Sequence, residues 1–274
     1  MPGPRPRTGT GRPQANTHGV AYRDPCVPYV TSHFKLHLHR KRRWVAGRRG
    51  GRGVEGLTTD ERLPDRVSSP PSIDRDPWER VEEWTEVAFE APFVTVEAHN
   101  AVYERPSFRR RADDLMAPEI EESPRAVFTT GLSLDPPFPG GETPGSVFAV
   151  AAQYASREFR ESLREDGLLA VEQTGSRELR LRGRRTAKAF QYDAAYPLAA
   201  DPLEASRSPR LAVRVWAALW PTADAFDMAG GIYPLEDLAS ALDRDGGATP
   251  EVSIEARPGG DRREVFDCIR AAAE

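Results

Sequence analysis

The sequence predicts an α+β fold: a largely antiparallel sheet of about five to seven strands, one long amphipathic helix at about 146–166, and flanking shorter helices. Three observations predict it. Alternating or continuously apolar segments follow one another between residues 88 and 234. A single stretch, 147–163, repeats its apolar residues at intervals of three and four. Acid-x-x-Glu helix starts stand at both ends of the region, at Asp76 and Asp261.

In order, Asp76-Pro77-Trp78-Glu79 supplies an N-cap acid, a Pro at the first helical position and a Glu three after the cap, which predicts a short helix to about Trp84. The alternation of residues 88–104 predicts one bent or two short strands, with Phe93, Thr95 and Glu97 opposite Val94, Val96 and Ala98. A further helical turn is expected from Pro106 to Met116, and a solvated loop at Glu119–Glu122. AVFTTGLSL (126–134) reads as a strand closed by Pro136 and Pro137. In the long helix Phe148, Ala151, Ala155, Phe159 and Leu163 share a face, and Gly167 sits where a C-terminal glycine cap belongs. Four strands follow, at 168–173, 178–198 with a bend at Gly183, 211–221 and 225–234. The third is apolar on both faces around Trp216–Trp220, which places it inside the sheet. A helix over Leu235–Leu242 and a last one from Asp261, with Val265, Phe266, Ile269 and Ala272 on one face, complete the chain.

The charge changes sign near residue 70. Residues 1–70 hold 14 Lys+Arg against 5 Asp+Glu, which leaves 24 against 37 for residues 71–274. The front, residues 1–72, is rich in Arg, Gly and Pro and too poor in apolar clusters to offset chain entropy, so disorder is expected there. Out-of-frame or upstream GC-rich DNA reads as the same composition, which makes a misplaced start codon one origin for it. The domain itself is expected to be a single acidic α+β unit over 74–274. Arg outnumbers Lys 35 to 3, and Lys188 is the one lysine beyond residue 70. So negative a surface needs screening, which points to a halophile's salt-rich cytoplasm.

The motifs of the front lack the context their chemistry needs. His33, His37 and His39 would share one strand face, but no carboxylate or cysteine joins them as a fourth ligand. Gly51, Gly53 and Gly56 spell G-x-G-x-x-G without a preceding strand or following apolar helix. The run Arg40–Arg43 with Arg48, Arg49 and Arg52 would hold phosphates, but salt at molar strength weakens such ionic binding, so nucleic acid is not the expected partner. No apolar run is long enough to span a membrane. Cys26 and Cys268 give neither a disulfide framework nor a metal set, and Cys268 is read as a buried, inert thiol on the last helix.

In the domain, His99 is the sole histidine, and neither a triad nor a metalloprotease, P-loop or nucleophile-elbow motif is present. The acid pairs Glu82/Glu83 and Asp113/Asp114 are adjacent and point apart. No catalytic residue, metal site or cofactor is assigned. Two clusters stand out as ligand-binding candidates. Arg180, Arg182, Arg184 and Arg185 read as a basic strand face suited to an anion or acidic partner. Tyr192, Tyr196, Trp216, Trp220 and Tyr233 would line a groove on the sheet or fill its core.

The phrases FTTGLSLDPPFP, WAALWPT and AGGIYPLEDL, with the order of elements over about 74–272, resemble a family of uncharacterised proteins from halophilic archaea. That resemblance implies no activity and transfers no site. The element order is also similar to the PsbP-like α/β/α sandwich, a likeness that favours binding or scaffolding over catalysis. The expected function is that of a non-catalytic cytoplasmic binding or interaction protein with a protein or small-molecule partner. The alternative is a hydrolase-like enzyme that uses carboxylates and arginines.

Overall fold

The computed structural model describes residues 69–91, 94–108, 123–137, 145–198, 209–223, 225–245 and 254–274. The histidine, glycine and arginine motifs of the front, Cys26, the acid pair Asp113/Asp114 and the loop at 119–122 lie outside the described residues.

Seven strands form one antiparallel sheet: β1 (Glu79–Ala91), β2 (Val94–Glu104), β3 (Ala126–Asp135), β4 (Leu169–Arg180), β5 (Thr186–Pro197), β6 (Arg210–Pro221) and β7 (Phe226–Pro234). Their spatial order is β1-β2-β3-β7-β6-β5-β4. The sheet therefore joins two meanders, β1-β2-β3 and β4-β5-β6-β7, through the antiparallel pairing of β3 with β7. Helix α1 (Gly145–Glu165) is the connection between the meanders, carrying the chain from interior strand β3 to edge strand β4. Two further helices, α2 (Leu238–Asp245) and α3 (Pro258–Ala272), follow β7. The architecture is broadly α+β but mostly sheet, and the expected emphasis on one long helix gives way to this sheet with a few helices against it.

The strand periodicity assigns each helix to a face. On β6, Leu211, Val213, Val215, Ala217 and Leu219 belong to the apolar core that holds Phe159 and Leu163 of α1 and Leu238 of α2. Trp216, Ala218 and Trp220 belong to a second core, with Val265, Phe266 and Ile269 of α3. α1 and α2 thus cover one face and α3 the other. Continuous apolar sequence in β6 is the expected mark of a strand buried on both sides. Phe159 lies 5.3 Å from Phe128 of β3 and 5.6 Å from Tyr192 of β5, ring centre to ring centre, so α1 crosses the middle of the sheet. It stops at Gly167, whose φ of 97° favours glycine, with the Leu168 N–H on the Leu163 carbonyl at 3.0 Å.

α3 begins one turn before Asp261, at Pro258, a residue preset for the first turn. The Asp261 carboxylate accepts the Arg257 backbone N–H at 3.1 Å and Arg125 Nη2 at 2.8 Å, which ties the helix start to β3. Arg105, at the end of β2, pairs with Glu264. Close approach of α3 depends on Gly231: a Cβ there would stand 2.8 Å from the Ala126 carbonyl and 3.0 Å from a Val265 methyl.

The helix expected up to Trp84 is instead the start of β1. Val81, Trp84 and Ala88 face the α1 core, a three-then-four spacing that reads as helix in sequence. Register shifts against β2 at Arg80/Glu82 and Val87/Phe89 produce it, because each bulge adds a residue and shifts the alternation. Likewise residues 169–180 form one strand where two were expected, with shifts at Leu169/Glu172 and Gln173/Gly175. The bend expected at Gly183 is a full reversal: Arg182–Arg184 form a 3-10 turn with Gly183 at φ 67°, and β5 returns beside β4.

Candidate functional site

Because α1 crosses the sheet obliquely toward the β4 edge, a groove of about 940 Å³ opens between the helix and the β4–β5 hairpin. The helix contributes Phe148, Ala152, Ser156 and Arg160, spaced four apart and so on one stripe, with Gln153 and Arg157 beside them. β5 contributes Lys188 and Phe190, on the same face as Tyr192. β4 contributes Gln173, Ser176 and Glu178. Strict alternation would not place Gln173 and Ser176 on one face; the bulge between Gln173 and Gly175 does. The same bulge turns Arg177 and Leu179 toward α3.

The groove's floor is hydrogen-bonded. Tyr192 is fully buried; its hydroxyl donates to the Ser156 carbonyl at 2.9 Å and lies 2.8 Å from the Ser156 hydroxyl. Ser156 Oγ in turn donates to Gln173 Oε1 at 3.1 Å, linking helix to edge strand. Burial pushes the Tyr192 phenol up to about 12, with the Ser156 bond recovering part of the shift, so the phenol stays neutral. Ser156 has no histidine beside it, since His99 is on β2 with its Nε2 2.8 Å from Glu83. Phe148, stacked 6.3 Å from Phe226, and Phe190 supply apolar walls.

The lining is cationic. Arg157, Arg160 and Lys188 stand against one carboxylate, Glu178. Arg160 has a partner in Glu161 at 3.2 Å, whose pKa the Arg164 hydrogen bond chiefly lowers. Lys188 faces Glu178 across the β4–β5 register, yet no ion pair joins them, and Lys188 has no other carboxylate partner among the described residues. Lys188 thus adds a third cation to Arg157 and Arg160 along the groove, with Glu178 the one carboxylate among its described lining residues.

Of the candidate residues read from the sequence, Tyr192 lies beneath the groove, bonded to Ser156, and the others lie away from it. Tyr192 and Tyr196 belong to the α1 core, whereas Trp216, Trp220 and Tyr233 belong to the α3 core. All five are buried, so they pack the two faces of the sheet and do not line one groove together. Arg180, Arg182, Arg184 and Arg185 do not form one strand face, because the turn at Gly183 separates them. Two of them reach the end of α3: Arg185 donates to the Ala273 carbonyl and Arg182 pairs with Glu274 at 2.6 Å, where cations complement the helix dipole. Arg180 ends β4 with an exposed side chain. Ser156, Gln173, Lys188, Phe148 and Phe190 escaped sequence reasoning; of these only Lys188 carried a signal, as the domain's single lysine. Cys268 is fully buried, and burial pushes its thiol up to about 11. Among the described residues no group of three His, Cys, Asp or Glu side chains is arranged to hold a metal, and no helix is long and apolar enough to cross a membrane.

Fold and site together define an antiparallel-sheet domain with helices on both faces and an open, cation-lined groove at one end. Residues 66–273 match the family described as Domain of unknown function (DUF6517), and the chain belongs to that family. The comparison with curated proteins gave no match, and neither did the comparison with solved structures.

Proposed function

We propose that this is a non-catalytic binding protein whose α1/β4–β5 groove takes a small carboxylate-bearing ligand with an apolar body. The observation that carries the reading is Lys188, an ammonium with no ion pair among the described residues, in a groove of about 940 Å³ lined also by Phe148 and Phe190. A ligand carboxylate on Lys188 and Arg157 would replace the missing counter-charge, and the rings would cover its apolar part. The hydrolase alternative asks for a second carboxylate beside Glu178 or a base beside Ser156, and neither is among the described lining residues. We further propose that the protein works in a halophile's cytoplasm, a reading supported by the acidic excess after residue 70.

Thermal-shift measurements in molar KCl, against a panel of aromatic and aliphatic carboxylic acids, test the binding reading. At least one acid should raise Tm, and Lys188→Met and Ala149→Trp, which remove the charge and put a ring into the groove from an exposed lining position, should abolish the rise. A panel without effect on the wild-type chain, or a rise that both variants keep, would overturn it.

A further inference from the structure

On the face of the sheet opposite the groove, Arg177 of β4 lies against two aromatic rings. Its guanidinium carbon is 4.9 Å from the centre of Trp216 and 4.2 Å from that of Phe266. Arg262 of α3 stands 6.0 Å from the same Phe266 ring. Trp216 and Phe266 themselves meet edge-on at 4.9 Å, which fixes both rings. Neither arginine has an ion pair among the described residues, and Arg177 Nε is buried without an acceptor.

The neighbours show that this lack of partners is local. Arg214 on β6 is neutralised by a two-pronged contact with Asp193 at 2.6 and 2.8 Å, and Arg270 on α3 by Asp267 at 3.0 Å. Burial first, and then the charges of Arg262 and Arg270, lower the pKa of Arg177. A guanidinium that only pinned α3 to β4 would work better without a second cation close by, because like charges raise each other's cost. Two cations on one aromatic ring, without a carboxylate between them, are instead arranged for a charge brought from outside.

We infer that Arg177 and Arg262, backed by Trp216 and Phe266, form a binding site for a phosphate-type oxyanion. The two rings lie against the Arg177 guanidinium and hold it in place, and its N–H donors suit the oxygens of a tetrahedral oxyanion. Arg262, exposed on the first turns of α3, adds a second cation on the solvent side. The site shares no residue with the groove and does not depend on the function proposed for it.

Calorimetric titration of the full chain with inorganic phosphate and with phenyl phosphate, at fixed ionic strength in chloride, tests the inference. Saturable binding is expected, weakened about tenfold or more in Arg177→Gln and in Arg262→Gln, and unchanged in Arg80→Gln, an exposed arginine of β1 already paired with Glu83. Phenyl phosphate binding tighter than phosphate identifies a phosphoryl group on a larger molecule; equal affinities identify the free ion. Arg262 is a surface residue, so its variant decides the matter even where Arg177→Gln fails to fold. Absence of saturable binding by the wild-type chain, or unchanged affinity in Arg262→Gln, overturns the inference.

Discussion

Asp227 offers the sharpest test of how the α3 face is built. It lies on β7 opposite Trp220 in the β6–β7 register, within a strand that is buried along most of its length. Burial raises its pKa from 3.8 to about 6; Arg185 and the Trp220 indole pull it down and recover only part of the shift. In the unfolded chain the carboxyl ionises near its ordinary value, so between about pH 4 and pH 6 the native state holds a proton that the unfolded state has released. The contribution to stability is therefore complete below pH 4, falls as pH rises to 6, and stays lost above it. At ~1.4 kcal/mol per pH unit, a shift of this size makes the ionised carboxylate cost up to ~3 kcal/mol. Asp227→Asn keeps the shape and removes the charge. Near pH 4 its stability should equal that of the wild type; at pH 7.5 it should be more stable by up to ~3 kcal/mol, a rise in Tm of roughly 6–10 °C for a domain this size. Urea unfolding of both chains from pH 4 to pH 8 in constant molar salt isolates the effect, because other carboxyls cancel in the difference. A difference that does not change with pH, or a variant less stable at pH 7.5, would refute the reasoning.

Three further outcomes follow from the packing. Gly230→Ala would put a Cβ 2.1 Å from the Trp216 carbonyl and 2.5 Å from the Phe128 ring, so β6 and β7 must part; a loss of at least ~2 kcal/mol is expected by thermal unfolding, and a neutral result would contradict the β6–β7 geometry. Tyr192→Phe removes the hydroxyl that bonds Ser156 and should cost about 1–2 kcal/mol, read by urea denaturation; an unchanged midpoint would mean that the Ser156 link contributes nothing. Screening of the domain's acidic excess should raise Tm steadily as KCl goes from dilute to molar, monitored by circular dichroism. A flat or falling Tm would remove the support for a salt-rich setting.

Much of the sheet was legible because its strands announce themselves locally. β3, β6 and β7 each join an apolar run to a turn or proline, and β6 shows burial on both faces in its own sequence. β1 was not legible: its bulges give Val81, Trp84 and Ala88 a helical spacing, and only the pairing with β2 reveals the shift. Which face each aromatic candidate takes was hidden for a related reason. Tyr192 and Trp216 stand on neighbouring strands, but the register, which pairs Tyr192 with Val215 and Trp216 with Gln191, puts them on opposite faces. The four arginines looked like one face until Gly183 turned the chain. The groove is a product of tertiary structure alone, since it needs α1 to cross from β3 to the far edge and a bulge to re-aim Ser176. Lys188 was visible as an oddity of composition, but its lack of a partner was not.

That lysine also permits the most direct measurement. The whole chain has three lysines, Lys35, Lys41 and Lys188, so a chain labelled with ¹³C at the lysine ε position gives three side-chain signals. Titration with the carboxylic acid that most raises Tm should move the Lys188 signal saturably and leave the other two in place. A Lys188 signal that stays still while Tm rises, or three signals that move together, would contradict a binding site in the groove.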